Sequence, residues 1–94
     1  MALVLQHRLD EGANINNSID VIVREINSAT HHVKFEIVQD ANSTFAELTP
    51  GSEEYVGNIH FSPLWRDFRT GKVRVAYIAP REYAILKRVY PPPN

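Results

Sequence analysis

The stretch that decides the fold is Ser18–Gln39, which reads SIDVIVREINSATHHVKFEIVQ. Apolar residues recur at every second position in both of its halves, and this period of two is typical of a strand with one buried face. The apolar positions that share a face are Ile19, Val21 and Val23 in the first half and Val33, Phe35 and Ile37 in the second. Between the halves, the polar residues Asn27–Thr30 favour a turn. The sequence therefore predicts an antiparallel hairpin.

Further strands are predicted on both sides of this hairpin. Ala2–His7 is mostly apolar and ends before the charged stretch Asp10–Gly12, which we expect to form a turn. Near the other end, Val73–Ile78 alternates like the hairpin strands and stops before Pro80, which has no N–H to donate to a strand ladder. Glu82–Arg88 then predicts a last strand. The fold class that follows is mainly β, a small antiparallel sheet of five or six strands.

Residues 40–71 differ in character, because Ser, Thr, Pro and Gly are scattered among their large apolar residues. Ser and Asn at a helix N-cap accept a free backbone N–H, and acidic residues suit the first helical turn. Asn42–Glu47 and Ser52–Asn58 are therefore interpreted as two short helices within a loop-rich insert.

The alternation of Val33–Ile37 is found again in Val73–Tyr77. Any two amphipathic strands share such a pattern, so it does not by itself indicate an internal repeat. A chain of 94 residues is the size of one small domain, and we expect a single domain over residues 1–94.

Composition and charge narrow the classes of function. A net charge of -1 lacks the basic excess that drives non-specific nucleic-acid binding. The charge is unevenly placed, however: residues 36–65 carry five acidic and no basic groups, whereas residues 66–94 carry seven basic and two acidic groups. This distribution allows an anion-binding face near the C-terminal end.

Several classes of chemistry are not expected. The chain has no cysteine, hence no thiolate nucleophile or thiolate metal site, and it shows no catalytic spacing or phosphate-binding loop. No enzyme activity, metal site or cofactor is therefore predicted. The first apolar stretch is far too short for a signal sequence or a membrane span, so we expect a cytoplasmic protein without a membrane partner.

Two stretches resemble the carbon storage regulators, also called repressors of secondary metabolism. Residues 73–88, VRVAYIAPREYAILKR, are similar to a family signature in which an arginine-containing apolar strand runs into Ala-Pro, a basic residue and Glu. A short strand ending in His-Arg then follows in the family. Residues 3–8, LVLQHR, resemble the family's first strand, and residues 10–17 resemble its Gly-Glu turn and Ile-Gly-Asp stretch. The resemblance covers residues 1–27 and 72–90, with the insert between them.

This resemblance implies a homodimer in which the first and last strands of two subunits interlock. It also implies an RNA-binding regulator of translation that recognises single-stranded GGA in hairpin loops of messenger leaders or small RNAs. The RNA face of the family combines the first strand of one subunit with the last strand of the other. The residues carried over to this face are Leu5, Gln6, His7, Arg8, Ala79, Pro80, Arg81, Leu86, Lys87 and Arg88.

Three of these positions depart from the family pattern. Leu86 stands where the family has His, and Lys87 and His7 each stand where it has Arg. A lysine keeps the positive charge but lacks the planar fork with which arginine reads a guanine edge. A second interpretation therefore stays open: a protein-interaction module or antagonist on the same scaffold, which has lost RNA recognition and binds a protein partner through the insert.

Overall fold

The computed structural model describes residues 2–64 and 71–92, and within these ranges the chain forms nine β-strands and no helix. The strands are β1 (Ala2–His7), β2 (Glu11–Ile15), β3 (Ile19–Asn27), β4 (His32–Gln39), β5 (Asn42–Leu48), β6 (Glu54–Val56), β7 (Ile59–Pro63), β8 (Val73–Ile78) and β9 (Ile85–Val89). The prediction of a mainly β fold is confirmed.

The strands form two antiparallel sheets, where the sequence predicts one sheet of five or six strands. The four-stranded sheet has the order β1-β8-β7-β6, and the five-stranded sheet has the order β5-β4-β3-β2-β9. The sheets pack through apolar side chains, such as Phe35 of β4 and Phe61 of β7, whose ring centroids lie 5.0 Å apart in an edge-to-face contact. Burial of one apolar face of each sheet stabilises this arrangement.

The predicted hairpin is confirmed as β3 and β4. Its turn is stabilised by Asn27 Oδ1, which accepts hydrogen bonds from the backbone N–H groups of Ala29 and Thr30 at 3.1 and 3.2 Å. The register between the two strands shifts at Arg24, which is therefore the extra residue of a β-bulge. The predicted first strand and the strand before Pro80 are confirmed as β1 and β8.

The two helices predicted within the insert are wrong, because Asn42–Glu47 lies in β5 and Ser52–Asn58 contains β6. The reason lies in the preceding turn. Asp40 and Ala41 both have positive φ, 54° and 63°, and such two-residue turns return the chain antiparallel to the strand before it. β5 therefore pairs with β4 along its free edge, and this strand pairing outweighs the weak local preference of residues 42–47 for helix. Residues 65–70 of the insert lie outside the described residues.

The sequence pattern also does not predict β2, and it places the start of the last strand, β9, too early. Gly12, Ala13 and Asn14 have low β propensity, and all three are buried, so neither propensity nor alternation reveals this strand. β9 begins later than predicted, because the N–H of Tyr83 donates to the carbonyl of Pro80 at 3.0 Å and closes a turn first.

The topology contains two equivalent four-strand units. The first unit is β1–β4 and the second unit is β5–β8, and in each unit the second, third and fourth strands lie side by side in one sheet. Val21 lies opposite Ile37 in the first unit, and Phe61 lies opposite Tyr77 in the second. The third and fourth strands of the two units therefore correspond residue for residue.

The turns between the first and second strands of the units share a geometry. In each turn the N–H of the fourth residue donates to the carbonyl of the first, at 3.1 Å in Arg8–Glu11 and 2.9 Å in Thr49–Ser52. The third residue has positive φ in both, 65° and 91°. The alternation shared by residues 33–37 and 73–77 thus lies on the equivalent strands β4 and β8, so it belongs to a structural repeat after all.

The two units exchange their first strands. β1 pairs with β8 of the second unit, and β5 pairs with β4 of the first. β9 is then added beside β2, whereas the described residues place no strand beside the outer edge of β6, the equivalent of β2. This exchange of first strands takes place within one chain, and association of two chains into the interlocked homodimer stays a prediction.

Candidate functional site

The strands of the predicted RNA face, β1 and β9, approach each other at Glu11. Its Oε1 accepts a hydrogen bond of 2.9 Å from the backbone N–H of Arg8, the residue that follows β1. Lys87 Nζ of β9 lies 3.6 Å from the same oxygen. One carboxylate therefore brings together two cationic residues that the resemblance assigns to different subunits.

The surroundings of Glu11 favour its ionised form. The hydrogen bond from Arg8 N–H, and then the positive charge of Lys87, hold the pKa of Glu11 below its usual value. The side chain of Lys87 is 47% exposed, and Arg8 is also exposed. An ion pair in this setting contributes little to stability, so the two cations remain accessible to an external anion.

His7 is fully buried, so its side chain is not accessible to RNA in this conformation. Its Nε2 lies 2.8 Å from the hydroxyl of Tyr77, a core residue of β8. Burial, and then the nearby charge of Lys87, lower the pKa of His7 to about 4, which leaves the imidazole neutral at pH 7. His7 is therefore a core residue that fixes the end of β1.

The loop Ala79–Arg81 follows β8. Because β8 runs antiparallel to β1, this loop lies beside the start of β1, at the end opposite to Arg8. At the rise of a β-strand the two ends of β1 are roughly 17 Å apart. Ala79 is buried and Pro80 is half-buried, so Arg81 is the exposed member of the loop.

Two further residues of the predicted face, Leu5 and Gln6, lie within β1 on opposite faces of the strand. Leu5 packs against the core and is half-buried. Gln6 is exposed and lies opposite Arg74 of β8. Of these two, Gln6 presents its side chain to solvent.

The side chains of β9 also divide between two faces, because successive residues of a strand alternate. Lys87 shares a face with Ile85, which packs on the core. Leu86 and Arg88 project from the other face and are exposed, Leu86 by 52%. The structure therefore brings Lys87 and Arg8 together and places Leu86 and Arg88 on the opposite side of the strand.

The end of β9 is held against the turn between β1 and β2. The N–H of Tyr90 donates to the carbonyl of Asp10 at 2.7 Å, and its hydroxyl donates to Asp20 Oδ1 at 2.6 Å. Arg24 Nη1 donates to Asp10 Oδ1 at 2.7 Å and to the carbonyl of Pro91 at 3.0 Å. These contacts fix the position of β9 beside β1.

Glu11 and Arg24 organise the site together with Tyr90, and the sequence pattern identifies neither Glu11 nor Arg24. An acid three residues after Arg8 is the one local signal for Glu11, since turn acids often accept nearby backbone N–H groups. Arg24 is 10% exposed and also donates to Glu36 at 2.8 Å, but its carboxylate partners lie on β4 and in the turn between β1 and β2. Contacts of this kind depend on strand pairing and leave no local sequence signal.

Other kinds of site are not seen in residues 2–64 and 71–92. No three His, Asp or Glu side chains in these ranges are grouped so as to hold a metal ion. The same ranges contain no helix with the length and apolar character needed to cross a membrane.

No family model matches the chain, and neither a curated protein nor a solved structure matches it. The resemblance to the carbon storage regulators therefore rests on the residues and motifs of the two terminal stretches.

Proposed function

We propose that the chain is a cytoplasmic RNA-binding regulator of translation that holds single-stranded RNA along the neighbouring strands β1 and β9. The observation that carries this proposal is the meeting of Arg8 and Lys87 at Glu11, since the resemblance assigns these two strands to one RNA face. Arg81 and Arg88 are also exposed, Arg81 at the other end of β1 and Arg88 on the opposite face of β9 from Lys87. Binding is reversible and non-catalytic, and the RNA class is the GGA-containing hairpin loop of a messenger leader or small RNA.

The chemistry of such binding divides between side chains and backbone. Cationic side chains contact phosphates, while unpaired bases are read by hydrogen-bonding groups. β1 and β9 are both edge strands, so each has one side whose backbone N–H and C=O groups are not used by a neighbouring strand of the sheet. Because Lys87 lacks the bidentate geometry of arginine, we assign base recognition to these strand edges.

The arrangement supports one RNA site per chain. In the second unit, β5 is the equivalent of β1, but the described residues contain no counterpart of β9 beside β6. The described chain therefore holds one pair of first and last strands. We propose that each chain binds one RNA molecule, within the homodimer that the resemblance implies.

The test is a titration of the purified protein against a short hairpin RNA with GGA in its loop, beside a hairpin with a scrambled loop. We expect loop-dependent binding that weakens as salt rises, because phosphate contacts release counterions. Sedimentation of the saturated complex should give one RNA for each chain. Equal affinity for both hairpins would refute the proposed site.

Variants locate the binding face. Replacing Arg8→Ala and Lys87→Ala together should weaken binding and lower the slope of log affinity against log salt by roughly 1.4, the value for two single-strand phosphate contacts. Glu11→Gln should strengthen binding, because it removes a competing negative charge. The matched control for Lys87→Ala is Lys34→Ala, which also removes a partly exposed lysine, 3.9 Å from the carboxylate of Glu25. Equal losses from these two single variants would place the RNA elsewhere.

The alternative, a protein-interaction module, is favoured by a separate observation, the open outer edge of β6. Deletion of residues 42–69 would not distinguish it from RNA binding, because the deletion removes β5, β6 and β7. These strands include the buried core residues Ile59 and Phe61, so their loss would unfold the chain. Protein binding has to be tested at β6 itself.

A further inference from the structure

β6 is open to solvent where its equivalent β2 is covered. The β2–β3 hairpin closes with the pair Ile15 and Ile19, and the β6–β7 hairpin closes with the pair Val56 and Ile59. Asn14 and Tyr55 each come directly before the closing residue, so Tyr55 is the counterpart of Asn14. Asn14 is 5% exposed, whereas Tyr55 is 64% exposed. The difference arises because β9 lies beside β2 and the described residues place no strand beside β6.

A cleft of about 400 Å³ lies along this open edge. One wall is formed by the β4–β5 hairpin, with Ile37, Asp40 and Thr44, and the other by Glu54–Gly57. The cleft thus lies between β5 and β6, whose equivalents in the first unit are β1 and β2. On that other side of the molecule, the corresponding position beside β2 is filled by β9.

The chemistry of the cleft is acidic. Asp40 and Glu54 line it, and residues 36–65, which include all of the lining residues, contain no lysine or arginine. Two copies of β6 facing each other would bring the carboxylates of both copies close together, and like charges disfavour strand pairing. Charge disfavours a second copy of β6 as the occupant and favours a basic segment.

Glu53, beside the cleft, is held as an anion. Its Oε2 accepts a hydrogen bond of 2.8 Å from the Tyr55 hydroxyl and lies 3.0 Å from His60 Nδ1. The bond from Tyr55, and then the contact with His60, lower the pKa of Glu53. The rings of Tyr55 and His60 are stacked, with centroids 4.8 Å apart, which fixes this group at the edge of β6.

The pairing of β9 with β2 supplies a register for the occupant. Lys87 lies opposite Ala13, the counterpart of Glu54. Arg88 lies opposite Gly12, the counterpart of Glu53. A segment with the sequence of β9 would therefore bring a basic residue opposite each of these two acids. Its apolar residues would lie opposite Tyr55 and Val56.

We propose that the outer edge of β6 binds an extended basic segment of a partner protein, which adds to the sheet as an antiparallel strand. Main-chain hydrogen bonds supply the affinity, and the pairing of two consecutive basic residues with Glu53 and Glu54 sets the register. The inference does not depend on the RNA function, because β6 and β1 are opposite edges of the four-stranded sheet.

The probe is the peptide Ala-Ile-Leu-Lys-Arg-Val-Tyr, the sequence of residues 84–90, added to the full chain. Amide resonances and their hydrogen exchange report where it binds. We expect saturable binding that slows exchange at Glu53–Val56 and leaves Glu11–Ile15 unchanged. The charge-reversed peptide Ala-Ile-Leu-Glu-Glu-Val-Tyr should bind at least tenfold more weakly.

Charge-swapped variants complete the test. Glu53→Lys with Glu54→Lys should weaken binding of the basic peptide at least tenfold and allow the charge-reversed peptide to bind. The matched control, Glu25→Lys with Glu82→Lys, makes the same change of charge at exposed positions outside the cleft and should leave binding unchanged. No binding by the folded protein, equal binding of both peptides, or protection at β2 through displacement of β9 would each overturn the proposal.

Discussion

β2 and β6 occupy the same position in two equivalent units, yet their residues belong to different classes. Residues 12–14 of the covered strand are Gly-Ala-Asn, and residues 53–55 at the open edge are Glu-Glu-Tyr. Small residues are needed at β2 because strands lie on both of its sides and the core lies against it. Charged residues are tolerated at β6 because its outer edge faces water. A shared topology thus sets the path of the backbone, and burial sets the side chains.

The same difference separates the charges of the molecule. On the side where β9 is present, Arg8 and Lys87 meet at one carboxylate and leave a basic surface. On the side where no counterpart of β9 is described, Asp40 and Glu54 line an acidic cleft. One added strand therefore distinguishes the side with Arg8 and Lys87 from the side with the acidic cleft, on a nearly symmetric scaffold. The following substitutions test this comparison.

The largest effect is expected at Gly12 in β2. A Cβ atom there would lie 1.9 Å from the carbonyl oxygen of Val21 and 2.8 Å from the Cα of Ile22, and both are backbone atoms of β3. Gly12→Ala should therefore lower the free energy of unfolding by about 4 kcal/mol in urea denaturation. The matched change at the equivalent position, Glu53→Ala, should leave the free energy of unfolding nearly unchanged, because Glu53 is exposed. Similar losses at both positions would mean that β6 is as tightly enclosed as β2.

The next effect is expected at Arg24, whose counterpart in the second unit is the apolar Leu64. Arg24→Leu copies that unit and leaves the carboxylates of Asp10 and Glu36 without their shared cation. The free energy of unfolding should fall by about 3 kcal/mol, because removing one partner of a buried ion pair leaves the others uncompensated. Denaturant titration at pH 7 measures the loss.

The control for Arg24→Leu is Glu25→Ala, which removes a neighbouring ion pair that is largely exposed and spans 3.9 Å to Lys34. That change should cost less than about 0.5 kcal/mol. If Arg24→Leu lowered the free energy of unfolding no more than its control, the ion pairs of Arg24 would not be what stabilises the first unit.

The smallest of the three effects is a pH dependence at His7, whose counterpart is Leu48. Burial lowers the pKa of His7 to about 4, so the unfolded chain binds a proton in the range between pH 6.5 and 4 that the folded chain does not. Stability should therefore fall as the pH drops through this range, by about 2 kcal/mol between pH 7 and pH 5.

His7→Leu should remove this part of the pH dependence, as measured by thermal or urea unfolding at a series of pH values. Tyr77→Phe serves as the control, because it removes the hydroxyl 2.8 Å from the imidazole and leaves the buried histidine in place. The control should keep the slope. An unchanged slope in His7→Leu would assign the pH dependence to other groups.

Much of the fold could be predicted because its strands alternate. The β3–β4 hairpin, β1 and β8 each carry one apolar face, so period-two patterning identifies them without knowledge of their partners. β2 could not be found in this way, since it is enclosed on both faces and consists of residues with low β propensity. β5 was hidden for the opposite reason, because most of its residues are exposed and polar.

The candidate site was predictable in its segments and not in its geometry. The resemblance selected both terminal strands, and the structure brings Arg8 and Lys87 of these strands to one carboxylate. It could not show that His7 is buried against Tyr77, because that contact joins residues far apart in sequence. The resemblance also could not show that Glu11 contacts both the backbone N–H of Arg8 and the ammonium group of Lys87, since this meeting depends on how the strands pack.

The sequence by itself determined the β class, the central hairpin and the division of charge between an acidic middle and a basic end. These properties follow from local alternation and composition, which need no knowledge of pairing. The tertiary structure decided that the two units exchange their first strands within one chain, that β9 covers β2, and that residues 2–64 and 71–92 leave the outer edge of β6 open. The physical reason is that a strand edge can pair with any extended segment, so partner choice depends on which pairings also bury the apolar faces of both sheets.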